Sequence, residues 1–260
     1  IDTHAHLDHI ENLDQALKNA VQENVDGVVT MSIDVASCRR NLEIKRATEN
    51  PKIYLAFGIH PSDADLNQLD PCVQLIREHK DELTAVGEIG LDFWYKWVRQ
   101  DKDKKDEQRA VFRNLLELAH ELDLPAVIHT RGTWRESYET AKGMGVQRAE
   151  FHWYSGPIDV LKKILDSGYY VSASPSLAYS PQSREAIGYA PIDRTLIETD
   201  SPVFYRSTML GGNVSSDNGF QAEPKDVFRT LQAYCALKNI KEVHAVEILN
   251  RNAREFFRLD

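Results

Sequence analysis

With 260 residues, 42% of them hydrophobic and 27% charged, the chain has the composition of a soluble globular protein long enough to bury a sizeable core. Its net charge of −9 at pH 7 argues against tracking long duplex nucleic acid through phosphate contacts, although bound metal ions add local positive charge that could hold a short anionic substrate by one end. No apolar run approaches the roughly 20 residues that span a bilayer, so no membrane contact is expected, and no basic stretch followed by an apolar one marks a secretory signal.

The chain opens on Ile1 rather than Met, which implies a removed leader or preceding residues. Cys38, Cys72 and Cys235 are odd in number, far apart and free of any C-x-x-C pair. They suit a reducing, cytoplasmic compartment better than a disulfide framework or a thiolate zinc site.

Taken in order, the first β-like run is Ile1–Leu7, and it contains His4-Ala5-His6. Residues i and i+2 of a strand share a side, so the two imidazoles can bind one ion together, though such pairs also arise by chance. Leu13, Leu17 and Val21 then recur at helical spacing. Gly27–Ile33 and Ile53–His60 are the second and third runs. The fourth, Thr84–Gly90, ends Gly87-Glu88-Ile89-Gly90, and a carboxylate in an apolar strand is costly to bury unless it is paired or coordinated. Trp94–Asp106 is long and highly charged, and reads as a solvated helix face.

Val111, Leu115, Leu118 and Leu122 mark the next helix. The fifth run, Leu124–Thr130, ends in His129 and is followed by Arg131. The sixth, Arg148–Trp153, is the least apolar and ends Phe151-His152-Trp153. Leu161, Ile164 and Leu165 mark a helix before the seventh run, Gly168–Ala173. The eighth, Arg194–Asp200, ends Glu198-Thr199-Asp200-Ser201-Pro202. Ser207–Gln221, rich in Gly, Asn and Ser, reads as a long loop over the mouth, and helical patterns over Pro224–Lys238 and Val243–Phe257 close the chain.

Eight β-like runs, nearly continuously apolar and alternating with helices, predict an α/β TIM (β/α)8 barrel spanning residues 1–260 as a single domain. A single strand-end His is commonly a hydrogen-bonded core residue, and a single buried Glu a salt-bridge partner. Six such groups together, His4, His6, Glu88, His129, His152 and Asp200, predict a metal centre at the C-terminal face of the barrel. Imidazole and carboxylate without thiolate suit Zn²⁺, Mn²⁺ or Mg²⁺. The ligands suffice for two divalent ions, with Glu88 able to bridge them.

His4-x-His6-Leu7-Asp8, Gly58-Ile59-His60-Pro61, Gly87-Glu88-Ile89-Gly90-Leu91-Asp92, Ile128-His129-x-Arg131 and Glu198-Thr199-Asp200-Ser201-Pro202 follow one another from Ile1 to Phe257. In residues and order they resemble the TatD family of metal-dependent deoxyribonucleases, one of the amidohydrolase-like barrels. The resemblance implies that His4, His6 and Asp200 hold one metal, that His129 and His152 hold a second, and that Glu88 is shared. It places His60 and Arg131 beside the metals, in contact with substrate phosphate. It also implies phosphodiester cleavage, often at DNA ends, with Mg²⁺ or Mn²⁺. Two departures, Trp153 after His152 and Ala222 where relatives often carry Asn before the Glu-Pro pair, leave the ligands intact and bear on substrate.

On this reading two metals clamp the scissile phosphate and activate a water, Asp200 takes its proton, and the metals and Arg131 stabilise the transition state. His60 donates a hydrogen bond to a phosphate oxygen or the leaving group, or else is a packing histidine before Pro61. Trp94, Trp97, Tyr154 and Tyr205 follow strand ends, where such residues anchor loops more often than they stack on bases. Arg131, Arg135, Lys96 and Arg99 are expected to form a positive patch that favours a single-stranded or frayed DNA end. Two rivals are a barrel hydrolase acting on another ester or amide, such as aminoacyl-tRNA or a lactone, and a binding protein without turnover. The Glu in place of a modified lysine disfavours the first, and the full ligand set the second. No protein partner is evident.

Overall fold

The computed structural model describes residues 1–206 and 219–259. All eight predicted strands form: β1 (Asp2–Ala5), β2 (Gly27–Met31), β3 (Lys52–Phe57), β4 (Leu83–Asp92), β5 (Ala126–Arg131), β6 (Ala149–Phe151), β7 (Tyr170–Ala173) and β8 (Thr195–Ile197). They pair in that order, each parallel to the next. The helices between them are α1 (Leu13–Gln22), α2 (Val35–Ala47), α3 (Leu66–Glu78), α4 (Lys102–Glu121), α5 (Trp134–Gly143), α6 (Ile158–Asp166) and α7 (Pro181–Tyr189), and α8 (Val227–Lys238) and α9 (Glu242–Phe257) complete the ring. The result is a TIM barrel.

The chain just beyond β8 closes the barrel against β1. Ala5 bridges to Ser201, the amide of His6 donates to the Ser201 carbonyl at 2.7 Å, and the amide of Asp200 donates to the His4 carbonyl at 2.9 Å. The same hydrogen bonds that close the barrel therefore bring His4 and His6 of the first strand region beside Asp200 after the eighth.

The strand pleat sorts side chains with period two. Val28, Leu55, Phe57, Val86, Ala126, Ile128, Val171 and Ile197 pack outward against the helices. Val29, Met31, Ala56, Ala85, Val127, Tyr170 and Leu196 pack inward as a second apolar cluster, closed by Phe256 and Phe257 at the end of α9. Being apolar on both faces, the strands read as continuous hydrophobic runs. Local signals set the helix starts. Asp34 caps α2 by accepting from the Ser37 amide at 2.7 Å, while Ser37 Oγ accepts from the Asp34 amide at 2.9 Å, which satisfies two otherwise orphan donors.

Three expectations need correction. β4 does not stop at Gly90 but runs on to Asp92, because Gly90–Asp92 pair with His129–Arg131 of an equally extended β5. Over Trp94–Asp106 only the part from Lys102 is helix, since Asp101 caps α4 by accepting from the Lys104 amide; the residues from Trp94 to Asp101 form a loop. Of Ser207–Gln221, residues 207–218 lie outside those described, and the remainder is not irregular. Gly219–Gln221 form a short strand, β10, antiparallel to β9 (Phe204–Arg206). Among the described residues no helix is long and apolar enough to cross a membrane.

Candidate metal centre

Inside the barrel the apolar layer gives way to polar side chains toward the C-terminal ends of the strands. His4 lies near the end of β1 and His6 just after it, His129 is in β5, and His152 directly follows β6. Asp200 follows β8 with a backbone φ of 49°, a left-handed conformation that Asp tolerates better than most side chains. Glu88 enters from within β4, where the β4–β5 register shifts between Val86 and Ile89. Glycines let the backbones approach closely around Glu88. A Cβ on Gly58 would lie 2.7 Å from the Glu88 carbonyl, and one on Gly90 would lie 2.0 Å from the His129 carbonyl.

All six candidate ligands converge, and the two oxygens of Glu88 face two different groups of donors. Glu88 Oε2 is 3.3 Å from both His4 Nε2 and His6 Nε2. Asp200 Oδ1 is 3.5 Å from the first and 3.3 Å from the second, and the two nitrogens are 3.4 Å apart. Four donors bonded to one ion at about 2.0–2.1 Å would stand roughly 3.3–3.4 Å apart in a tetrahedron, so this set fits a divalent ion. Glu88 Oε1 is 2.8 Å from both His129 Nδ1 and His152 Nε2, which are 3.2 Å from each other. His60 Nε2 approaches the second group, 3.2 Å from His129 Nδ1 and 3.6 Å from Glu88 Oε1.

The electrostatics show what the cluster costs without an ion. Burial disfavours the charged form of Glu88, but neighbouring His152, His60 and His4 outweigh burial and hold it well below the usual carboxylate range. Burial likewise lowers His6, yet hydrogen bonds to Asp200 and Glu88 outweigh it and raise the imidazole to about 10. His129 and His152 are raised for the same reason, against burial, by Asp92 and Glu88 and by Glu88 and Glu198. Metal-free, the acids are thus neutralised by protons on imidazoles, and a cation can replace those protons.

Carboxylates beyond the donors fix the rings. His129 Nε2 lies 3.0 Å from Asp92 Oδ2, which holds a proton on Nε2 and makes Nδ1, toward Glu88, the nitrogen that a cation would take. His152 Nδ1 lies 3.4 Å from Glu198 Oε1, and Ser172 Oγ donates to the other oxygen of Glu198 at 2.6 Å. Asp2 accepts from Thr199 Oγ1 at 2.6 Å and from the Thr199 amide at 2.9 Å, tying β1 to the segment that carries Asp200. Burial and the Glu198 charge push Glu150 well above the usual range. The sequence reading assigned no role to Asp92, Glu198, Asp2 or Glu150. A count of two points to three of them, because Asp2, Glu150 and Glu198 each precede a ligand by two residues, the spacing at which extended backbone puts side chains on one side.

His60 and Arg131 fall beside the centre. His60 Nδ1 accepts from the Ser62 amide at 3.0 Å, and burial, only partly offset by Glu88, lowers the ring to about 3. Ser62 Oγ, 2.5 Å from the same Nδ1, donates onward to Asp63 Oδ2, and the neutral ring turns Nε2 to the pocket. Arg131 Nε donates to Asp92 Oδ2 at 2.8 Å, and its guanidinium lies 4.7 Å over the Tyr95 ring. Tyr154 and Tyr205 are buried, and Tyr154 donates to the Pro157 carbonyl, so both anchor loops. Trp94 and Trp97 are exposed. The expected positive patch is only partly free, because Arg135 is paired with Asp159.

The family model described as TatD related DNase matches residues 1–258. A putative deoxyribonuclease, tatdn3, of Danio rerio is 29% identical over 99% of this chain and 96% of that protein. YabD of Bacillus subtilis, described as an uncharacterized metal-dependent hydrolase, is 30% identical over 100% of this chain and 99% of its own. Among solved structures, the TatD homologue YJJV of Escherichia coli superposes with a TM-score of 0.84 at 23% identity, covering 100% of this chain and 98% of that one.

Proposed function

Because the chain belongs to the TatD-related DNase family of metal-dependent hydrolases, we propose that it cleaves phosphodiester bonds of DNA at single-stranded or frayed ends, using two divalent ions held on either side of Glu88. The observation that carries this reading is the opposed placement of the two Glu88 oxygens, each 2.8–3.3 Å from its own pair of imidazoles. His4, His6 and Asp200 would hold one ion, His129 and His152 the other, and Mg²⁺, Mn²⁺ and Zn²⁺ all suit the donors. Bound there, the ions supply Lewis-acid activation of solvent and neutralise charge on the phosphodiester.

The chain's own groups do the rest. Asp200, held below the usual carboxylate range by His6 and His4 against its burial, is ionised and can accept the proton of attacking water. His60 turns Nε2 to the pocket beside His129 and Glu88, where it can hydrogen-bond a phosphate oxygen or the leaving group. Arg131, anchored through Nε, keeps its terminal nitrogens for a phosphate oxygen. The barrel acts as one domain over residues 1–260, and its three unpaired cysteines suit the cytoplasm.

The direct test is metal content and cleavage of an end-labelled single-stranded oligonucleotide by the wild type and by Glu88→Ala. The variant is expected to lose at least one ion and about 10²-fold or more in rate. Full activity and full metal content in Glu88→Ala would remove the shared-carboxylate reading.

A further inference from the structure

The loop between β4 and α4 is unlike the rest of this acidic chain. Its first eight residues, Phe93-Trp94-Tyr95-Lys96-Trp97-Val98-Arg99-Gln100, hold four aromatics and two cations before the first carboxylate, the capping Asp101. Anchoring falls to two of them. Val98 is buried, and Phe93 packs on the core with Lys105 and Arg109 over its ring. Trp94 stands edge-on to Trp134 and over the backbone of Gly132. Both Trp94 and Trp97 are 57% exposed, but only Trp97 is stacked on Tyr95, at 4.4 Å between centroids with the planes 21° apart.

That stack runs directly into the candidate site. The Tyr95 ring meets His60 edge-on at 6.5 Å and lies under Arg131. Arg131 in turn shares Asp92 with His129. Lys96 and Arg99 are exposed and form no ion pair among the described residues. An exposed aromatic ring flanked by unpaired cations, beside a phosphodiester-cleaving site, has one chemically suited occupant. Every nucleobase offers a π face, and cations beside it neutralise the following phosphates. Bases inside a duplex cover one another, so only an unpaired base can reach the ring.

Resting on the phosphodiesterase reading above, we propose that Trp97, stacked on Tyr95, is the platform for an unpaired nucleobase next to the scissile phosphate, with Lys96 and Arg99 holding the strand that follows. The site is sequence-tolerant, because stacking reads a ring and not a base edge. It sets a preference for single-stranded ends through binding and leaves the chemical step alone.

The test compares wild type, Trp97→Ala and Trp97→Phe on two single-stranded oligonucleotides, one normal and one abasic at its terminal nucleotides. Trp97→Ala is expected to raise KM on the normal strand about tenfold with kcat nearly unchanged, and to show no such rise on the abasic strand. Trp97→Phe is expected to restore most of the loss. An Ala variant that matches wild type on the normal strand, or that loses equally on both strands, overturns the platform. A parallel measurement, anisotropy of the same fluorescein-labelled strands with metal-free protein, separates the two readings. If binding discriminates base from abasic only in wild type but no strand is cut, the platform stands and the nuclease assignment falls. If binding is indifferent to Trp97, the platform falls whatever is cut.

Discussion

Asp92 Oδ2 sits 3.0 Å from His129 Nε2 and 2.8 Å from Arg131 Nε, so one buried carboxylate orients both a candidate metal ligand and a candidate phosphate contact. Its charge keeps the His129 proton on Nε2 and leaves Nδ1 free for a cation. Asp92→Ala is therefore expected to weaken metal binding about 10–100-fold while the donor set itself stays intact. Titration of metal-free protein with Zn²⁺, followed by calorimetry, measures this. An unchanged affinity would make Asp92 a packing residue with no hold on the centre.

Much of this site was legible because its chemistry is out of place. Imidazoles and carboxylates at the ends of apolar runs stand out, and His4, His6, Glu88, His129, His152 and Asp200 all meet in the folded chain. The strands themselves were legible because both faces are buried. Asp92 was not, since an acid two residues past an expected strand end reads as solvated. Only the pairing of Gly90–Asp92 with β5 carries it inward, and no local signal announces that extension. His60 is a similar case. The sequence placed it before Pro61, and only the fold sets its Nε2 3.2 Å from His129 Nδ1 and 3.6 Å from Glu88 Oε1. Trp97 and Tyr154 look alike in the sequence as aromatics after strands, and only packing separates the exposed ring from the buried one.

Protons and metal ions compete for the same imidazoles, which gives the stability a pH signature. In the unfolded chain His titrates near 6.5, whereas folded, metal-free His6 is raised to about 10. Its contribution is complete below about pH 6.5 and fades as pH climbs to about 10. Asp2 acts in the same direction. Burial, against hydrogen bonds from Thr199 and His4, raises it to about 8, so the folded chain keeps a proton that the unfolded chain releases. Tm in EDTA is expected to fall between pH 6.5 and 10. Stabilisation by added Zn²⁺ should grow over the same interval, because its ligands shed protons more readily. A Tm in EDTA that rises across this window, or a metal-induced gain that shrinks, would contradict the proton-filled description of the empty centre.

Gly90 tests how much of the centre depends on backbone approach. A Cβ there would meet the His129 carbonyl at 2.0 Å, in backbone the flexible end of no side chain can relieve. Gly90→Ala should force β4 and β5 apart where both carry ligands. The expected cost is about 1–3 kcal/mol, read as a lower urea midpoint in EDTA, together with lost metal affinity. Measuring in EDTA keeps the folding penalty separate from metal release. Wild-type midpoint and wild-type affinity together would mean the strands can yield without disturbing Glu88 or His129.

Asp200 combines two tasks that a single substitution can pull apart. Its Oδ1 lies 3.3 Å from His6 Nε2 and 3.5 Å from His4 Nε2, which marks it as a donor, and its ionised state suits it to accept a proton. Asp200→Asn keeps a carbonyl oxygen for a cation but removes the basic carboxylate. His4, His6 and Glu88 remain to hold the ion, so metal content should drop modestly. The rate on single-stranded DNA should fall about 10²–10⁴-fold in kcat, with KM little changed. Metal analysis and steady-state kinetics on the same preparation decide between the roles. A variant that loses metal and rate in proportion would leave Asp200 a ligand alone, and one that keeps its rate would place the base elsewhere in the pocket.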